Sequence, residues 1–230
     1  MTQFPKANLF WRVDTPASHV AGRGLGSRLG EVTMPWLAMC CGGLLLTVSV
    51  AVEARAGTIT GRVSASGVKD ARDTVVYIDR IEGVEFPAPA TPAELRQINK
   101  EFIPHVLPIV KGGSVSFSNS DGILHNVHLY QGRRSLFNLA TPAGAKPITK
   151  RFQEPGEVAV LCDVHPEMSA YIIVLETPYA AVTTEDGHYT IADVPPGTYT
   201  LKTWHEKLKP VTTAVTVEGE NTVEVNVELK

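Results

Sequence analysis

Pro155-Gly156-Glu157-Val158-Ala159-Val160-Leu161-Cys162-Asp163-Val164-His165-Pro166-Glu167-Met168 reads as a turn, a β-strand and a tight loop. The Pro-Gly pair breaks the chain, and the valine-rich run that follows suits a strand. The loop then sets a thiol, an imidazole and a thioether at C-x2-H-x2-M spacing. Three donors packed into residues 162–168 suit a single soft metal ion. Thiolate and thioether select copper, and two histidines, one cysteine and a long axial methionine make the type 1 copper set. The loop supplies only one histidine, so a second has to come from elsewhere in space. Leu124-His125-Asn126-Val127 is the natural source, because it follows the turn Asn119-Ser120-Asp121-Gly122 and opens a strand that can lie beside the Cys162 strand.

Outward from this loop, the chain from Gly57 onward consists of short β-branched runs broken by Gly, Pro, Asn and Asp. That texture predicts an all-β protein built of sandwiches rather than alternating β-α units. Strands are expected at residues 58–63, 74–79, 102–110, 114–119, 125–130, 148–152, 157–162 and 170–175. In 114–119 the alternation turns Val115, Phe117 and Asn119 to one face and Ser116 and Ser118 to the other. One short helix is expected over 92–100, where Thr91 can cap, Pro92 suits the first helical position and Glu94 completes a Thr-x-x-Glu capping box. After Thr177 hairpin punctuation at Asp186-Gly187, Pro195-Pro196-Gly197 and Glu218-Gly219-Glu220-Asn221 divides runs at 188–191, 198–204, 211–217 and 222–229. These make a second small β-sandwich, with a boundary near Pro178.

Residues 36–52 carry no charge and lead into Glu53-Ala54-Arg55-Ala56. This is the pattern of a secretory signal with an A-x-A site, cut between Ala56 and Gly57; an uncleaved membrane anchor is the alternative. The 33 residues before Met34 are Gly-rich with scattered arginines, so translation starts at either Met1 or Met34. Leu37-Ala38-Met39-Cys40 departs from a lipoprotein box, with Met39 where a small residue is needed. Cleavage leaves no membrane span and a mildly acidic chain, 16 Lys and Arg against 21 Asp and Glu. With no basic tract to neutralise phosphates, nucleic acid is not an expected partner. Cys40 and Cys41 leave with the signal, and Cys162 becomes the one thiol of a protein in the periplasm or another oxidising compartment. An unpaired thiol there needs burial or ligation.

The remaining histidines lack ligand spacing. His128, three residues past His125 in a strand, faces the opposite side. His105 follows a proline in an apolar strand, His188 and His205 fall in the second domain, and His19 precedes the signal. Met168 could serve as core filler, the commonest use of methionine, but its place three residues after His165 makes it a ligand candidate.

Phe102-x-Pro104, Lys111-Gly112, Val115-x-Phe117-x-Asn119-x-Asp121, His125-Asn126-Val127, Pro155-Gly156 and Cys162-x2-His165-x2-Met168 together resemble the cupredoxins. The short ligand loop and His125-Asn126-Val127-His128 are similar to amicyanin more than to plastocyanin, whose histidine-to-methionine spacing is longer. The resemblance, over roughly 101–175, implies a Greek-key sandwich at 57–178 with His125, Cys162 and His165 in the copper plane and Met168 as the weak axial contact. It also implies that the Asn126 amide ties the Cys162 loop to the His125 strand. By the same resemblance the role is one-electron transport, with a periplasmic c-type cytochrome or quinoprotein dehydrogenase as partner. A copper carrier or store without redox turnover, and a structural β-protein with zinc at the Cys/His set, are the competing readings. No Ser/His/Asp, phosphate-loop or paired-carboxylate motif points to an enzyme.

Asp186-Gly187-x-Tyr189-x-Ile191, Val194-Pro195-Pro196-Gly197 and Tyr199-x-Leu201 resemble the carboxypeptidase regulatory-like, transthyretin-like β-sandwich, over 179–230. Gly57 to Val63 and Val75 to Ile78 look like the opening of that same module. Residues 57–80 therefore belong either to the copper sandwich or to the second one, in which case the copper sandwich is an insertion. The second domain is expected to act as a spacer or docking surface.

Overall fold

Period-two burial marks many strands of the computed structural model, which describes residues 55–230. The predicted signal run at 36–52, Met34, Cys40 and Cys41 lie outside the described residues. In chain order the strands are β1 (Gly57–Ala65), β2 (Val75–Ile78), β3 (Ala93–Ile98), β4 (Glu101–Ile103), β5 (Val106–Val110) and β6 (Ser114–Asn119). There follow β7 (His125–Gln131), β8 (Arg134–Thr141), β9 (Ile148–Arg151), β10 (Gly156–Leu161) and β11 (Ser169–Leu175). The chain closes with β12 (Ala180–Val182), β13 (His188–Val194), β14 (Gly197–Trp204), β15 (Thr212–Val217), β16 (Thr222–Glu224) and β17 (Val227–Leu229). The protein is all-β, and no helix among the described residues is long and apolar enough to cross a membrane.

β3 to β11 form one sandwich. Its five-stranded sheet runs β5-β11-β10-β7-β8 and its four-stranded sheet β4-β3-β6-β9. Leu95, Val115 and Phe117 from the smaller sheet interlock with Val127, Leu129, Val158, Val160, Ile172 and Val174 from the larger, and Cys162 and Met168 belong to the same apolar core. A fully buried side chain of this size contributes about 1.5–3 kcal/mol. β5 and β11, and β3 and β6, pair in parallel, so the chain crosses between the sheets before it returns.

The other strands form the second sandwich, from sheets β13-β1-β16, with β17 also on β1, and β12-β2-β14-β15. Its core joins Ile59, Val63, Val76 and Ile78 to Ile191, Leu201, Val217 and Leu229. The open question about residues 57–80 is thereby answered: β1 and β2 pair with C-terminal strands, and the first sandwich is inserted between β2 and β12. The copper sandwich expected at 57–178 therefore spans β3 to β11 only.

Residues 92–100, expected to be helical, hold the strand β3 and the turn after it. Ala93, Leu95 and Gln97 are buried while Glu94 and Arg96 are exposed, a period of two with no apolar face at helical spacing. Parallel pairing of Ala93–Gln97 onto Val115–Asn119 overrides the local capping-box signal. The expected strand 102–110 is two strands in different sheets, β4 on β3 and β5 on β11, with Pro104 and His105 making the change of sheet. β8 was not expected, because an edge strand with mostly exposed or half-exposed side chains shows little alternation.

Gly61 shows how tightly β1 is enclosed. A β-carbon on it would clash with the Val225 carbonyl oxygen, and Val225 is held against β1 by its N–H, which donates to the Thr60 carbonyl at 2.8 Å. Gly61→Ala is expected to destabilise the second sandwich by about 1–3 kcal/mol or more, the usual range for forced overpacking. Urea unfolding of the variant against the parent measures it.

Candidate metal centre

The loop between β10 and β11 is clamped at its base. Leu161 pairs with Ser169, the Cys162 N–H donates to the Met168 carbonyl at 3.3 Å, and the Met168 N–H donates to the His165 carbonyl at 3.0 Å. The chain must therefore turn within 162–168, and the donors on either side of the turn converge. Antiparallel pairing of β10 with β7, Leu161 opposite His128, brings the start of β7 alongside. His125 enters from there, fully buried.

His125 Nδ1 and His165 Nδ1 lie 2.9 Å apart, and each is 4.0 Å from Cys162 Sγ. These three are the group of His, Cys, Asp and Glu side chains among the described residues that could hold a metal ion. Two ring nitrogens at 2.9 Å either share a proton or direct two lone pairs at a common cation. Cys162 and His125 are buried, whereas His165 is partly exposed. Met168 is 1% exposed and packs in the same core as Cys162, with its backbone joined to both loop ligands as described.

Asp121 supplies what the sequence reading missed. Its Oδ2 lies 2.8 Å from His125 Nε2. A carboxylate only accepts, so Nε2 carries the proton and the Nδ1 lone pair is left to face the cluster. Asp121 in turn accepts the N–H groups of Asn99 and Lys100 at 2.7 and 2.9 Å, both residues with positive φ at the β3–β4 turn. The Lys100 amide, with His125 and Asn99, holds this carboxyl below the ordinary carboxylate value despite the opposing effect of burial. Asn119 shapes the loop that carries it: its side-chain amide donates to the Ile123 and Thr141 carbonyls, and its oxygen accepts the Asp121 N–H.

Asn126 joins the two ligand-bearing segments. Its oxygen accepts the Asp163 N–H at 2.7 Å, and its amide donates to Asp163 Oδ2 and Asn138 Oδ1, each at 2.9 Å. This is the tether implied by the resemblance. His128 stands apart from the cluster, as expected from its position in the strand. It contacts Asp163 at 3.0 Å and Ser135 at 2.9 Å, and with Asn138 and Asn126 it keeps the Asp163 carboxyl below the ordinary value against burial. His105, His188 and His205 are also outside the cluster.

The two loops that carry His125 and His165 expose apolar side chains. Ile123, Leu124 and Val164 are 41%, 50% and 48% exposed. Each lies within two residues of a candidate ligand, and Glu167, also exposed, adds a charge.

The carboxypeptidase regulatory-like domain family matches residues 166–230. The match begins inside the ligand loop, while the second sandwich resumes at β12 and also takes in β1 and β2. No curated protein matches the sequence. Among solved structures, a purple cupredoxin from Nitrosopumilus maritimus is 22% identical, covering 36% of this chain and 98% of its own, with a TM-score of 0.33. A reduced amicyanin mutant is 20% identical, covering 43% of this chain and 97% of its own, with a TM-score of 0.34.

Proposed function

We propose that this chain is an exported type 1 copper protein that carries single electrons between redox proteins. The observation that carries the proposal is the convergence of His125 Nδ1, His165 Nδ1 and Cys162 Sγ inside 4.8 Å at the edge of an apolar core. The donor set fits copper: two imidazoles, a thiolate and a thioether from the buried Met168 are the soft ligands that select it. Copper bound there would supply a one-electron couple.

The protein's own part is to hold the donors still. Asp121 fixes the His125 tautomer and ring, Asn126 locks β7 to the Cys162 loop, and the backbone bonds from Cys162 to Met168 close the turn. Ligands held by such outer partners keep their geometry, which lowers the cost of reorganisation when charge changes. The partly exposed His165, with exposed Ile123, Leu124 and Val164 on the two loops that carry His125 and His165, suits contact with a partner, and we assign that role to a periplasmic c-type cytochrome or quinoprotein dehydrogenase. The uncharged run at 36–52 and the Ala54-x-Ala56 site support export. No chemistry beyond electron exchange is proposed.

Stoichiometric reductant should bleach the copper-loaded protein, and an oxidised c-type cytochrome should restore the colour rapidly. A blue protein that exchanges electrons only slowly with every cytochrome and quinoprotein offered would instead support copper delivery. Met168→Leu is expected to keep the colour and to raise the midpoint potential by removing the axial donor, as read by redox titration; loss of the colour would show that Met168 holds the site together.

A further inference from the structure

The two sandwiches share a third apolar cluster, in which Val106, Ile173 and Leu175 of the inserted sandwich meet Val75 of its host, with Tyr171 and Trp204 packed against it. The cluster falls on β5 and on β11, one of the two stems of the ligand loop. Trp204, at the end of host strand β14, donates its Nε1–H to Glu157 Oε2 on β10 at 2.9 Å. Its ring lies 5.1 Å from that of Tyr171 on β11, and the other neighbour of Tyr171 is the His105 ring at 5.7 Å.

His105 grips the start of β11 at two points. Its carbonyl accepts the Tyr171 N–H at 2.8 Å, and its Nδ1 donates to the Ser169 carbonyl at 3.1 Å. Ser169 directly follows Met168. The far side of the imidazole, Nε2, faces Glu206 Oε2 of the host at 3.4 Å. Lys207 holds the same glutamate at 2.9 Å. A carboxylate of the host thus reaches, through one imidazole, the residue that follows Met168.

We propose that His105 and Glu206 are positioning residues for Met168, with Trp204 bracing the opposite stem, so that the host sandwich sets the geometry of the metal loop. The metal consequence rests on the copper reading above; the mechanical one does not. A spacer would need only the apolar cluster. Trp204 donates to Glu157 on one stem, and Glu206 contacts His105, which holds the start of the other; these contacts give the host a second task, restraining the loop against opening.

The test uses the full-length chain and its His105→Gln and Glu206→Gln variants, with Lys202→Met as control. Lys202 pairs with Asp79 inside the host and has no hydrogen bond or ion pair to either ligand stem. In the metal-free proteins, the rate at which a thiol reagent labels Cys162 is followed by mass spectrometry of its peptide. Cys162 is 3% exposed, so labelling reports opening of the loop. Both test variants should label about two- to tenfold faster, the change in opening equilibrium expected for one lost hydrogen bond, while Lys202→Met labels as the parent does. After loading with copper, the same two variants should shift the ratio of the thiolate-to-copper bands and the midpoint potential. Parent-like labelling in both variants overturns the proposal, and so does a rise of equal size in the Lys202→Met control. If the parent takes up copper without colour, the copper reading fails, and the labelling rates still decide whether His105 and Glu206 restrain the loop.

Discussion

Replacing Cys162 with serine is expected to abolish the intense visible colour of the copper-loaded protein and leave at most a weakly absorbing, weakly bound ion. The colour of a type 1 site comes from charge transfer from thiolate sulfur to copper. A serine hydroxyl in the same place has neither the soft sulfur lone pairs nor a readily lost proton. The fold should survive, because Cys162 is a small side chain in a core dominated by valine, leucine, isoleucine and phenylalanine. Absorption spectroscopy and circular dichroism of the loaded variant measure both outcomes. Colour persisting in Cys162→Ser would refute the ligand assignment.

Asp121→Ala is expected to weaken metal binding by about 10- to 100-fold, the usual penalty for removing the outer partner of a ligating histidine. The loss has two parts. His125 would no longer be fixed in the tautomer that offers Nδ1 to the cluster, and the Asn99 and Lys100 N–H groups would lose their acceptor. Asp121→Asn should fall between the parent and the alanine variant, since one oxygen can still accept from His125 while the new amide opposes a backbone N–H. Competition titration with a copper chelator reads these affinities. Equal affinity in all three proteins would show that the His125 ring is held by packing alone.

The ligand loop was legible because its three donors are close in sequence, so spacing alone constrains them. His125 was legible for a different reason: the turn at 119–122 opens a strand that can lie beside β10, the resemblance to the cupredoxins placed it there, and alternation then separates His125 from His128. Asp121 was visible as a turn residue and as part of the cupredoxin-like motif, with no sign of its bond to His125. Its anchor is the β3–β4 turn, in a segment whose capping-box signal pointed to a helix, and the pairing that makes it a strand is with β6, distant in sequence. The membership of β1 was unreadable for a related reason. It joins β16 and β17 in parallel across most of the chain, and a parallel pairing at that separation leaves no local mark. The positions of His105 and Trp204 against the ligand-loop stems likewise exist only once both sandwiches are assembled.

The most direct measurement of the central claim is titration of the metal-free protein with Cu(II), followed by visible absorption and metal analysis. Uptake of one copper per chain, with intense blue colour that saturates at that ratio, is the predicted result. A protein that stays colourless at saturation, or that keeps zinc at the Cys162, His125 and His165 cluster against excess copper, would contradict it.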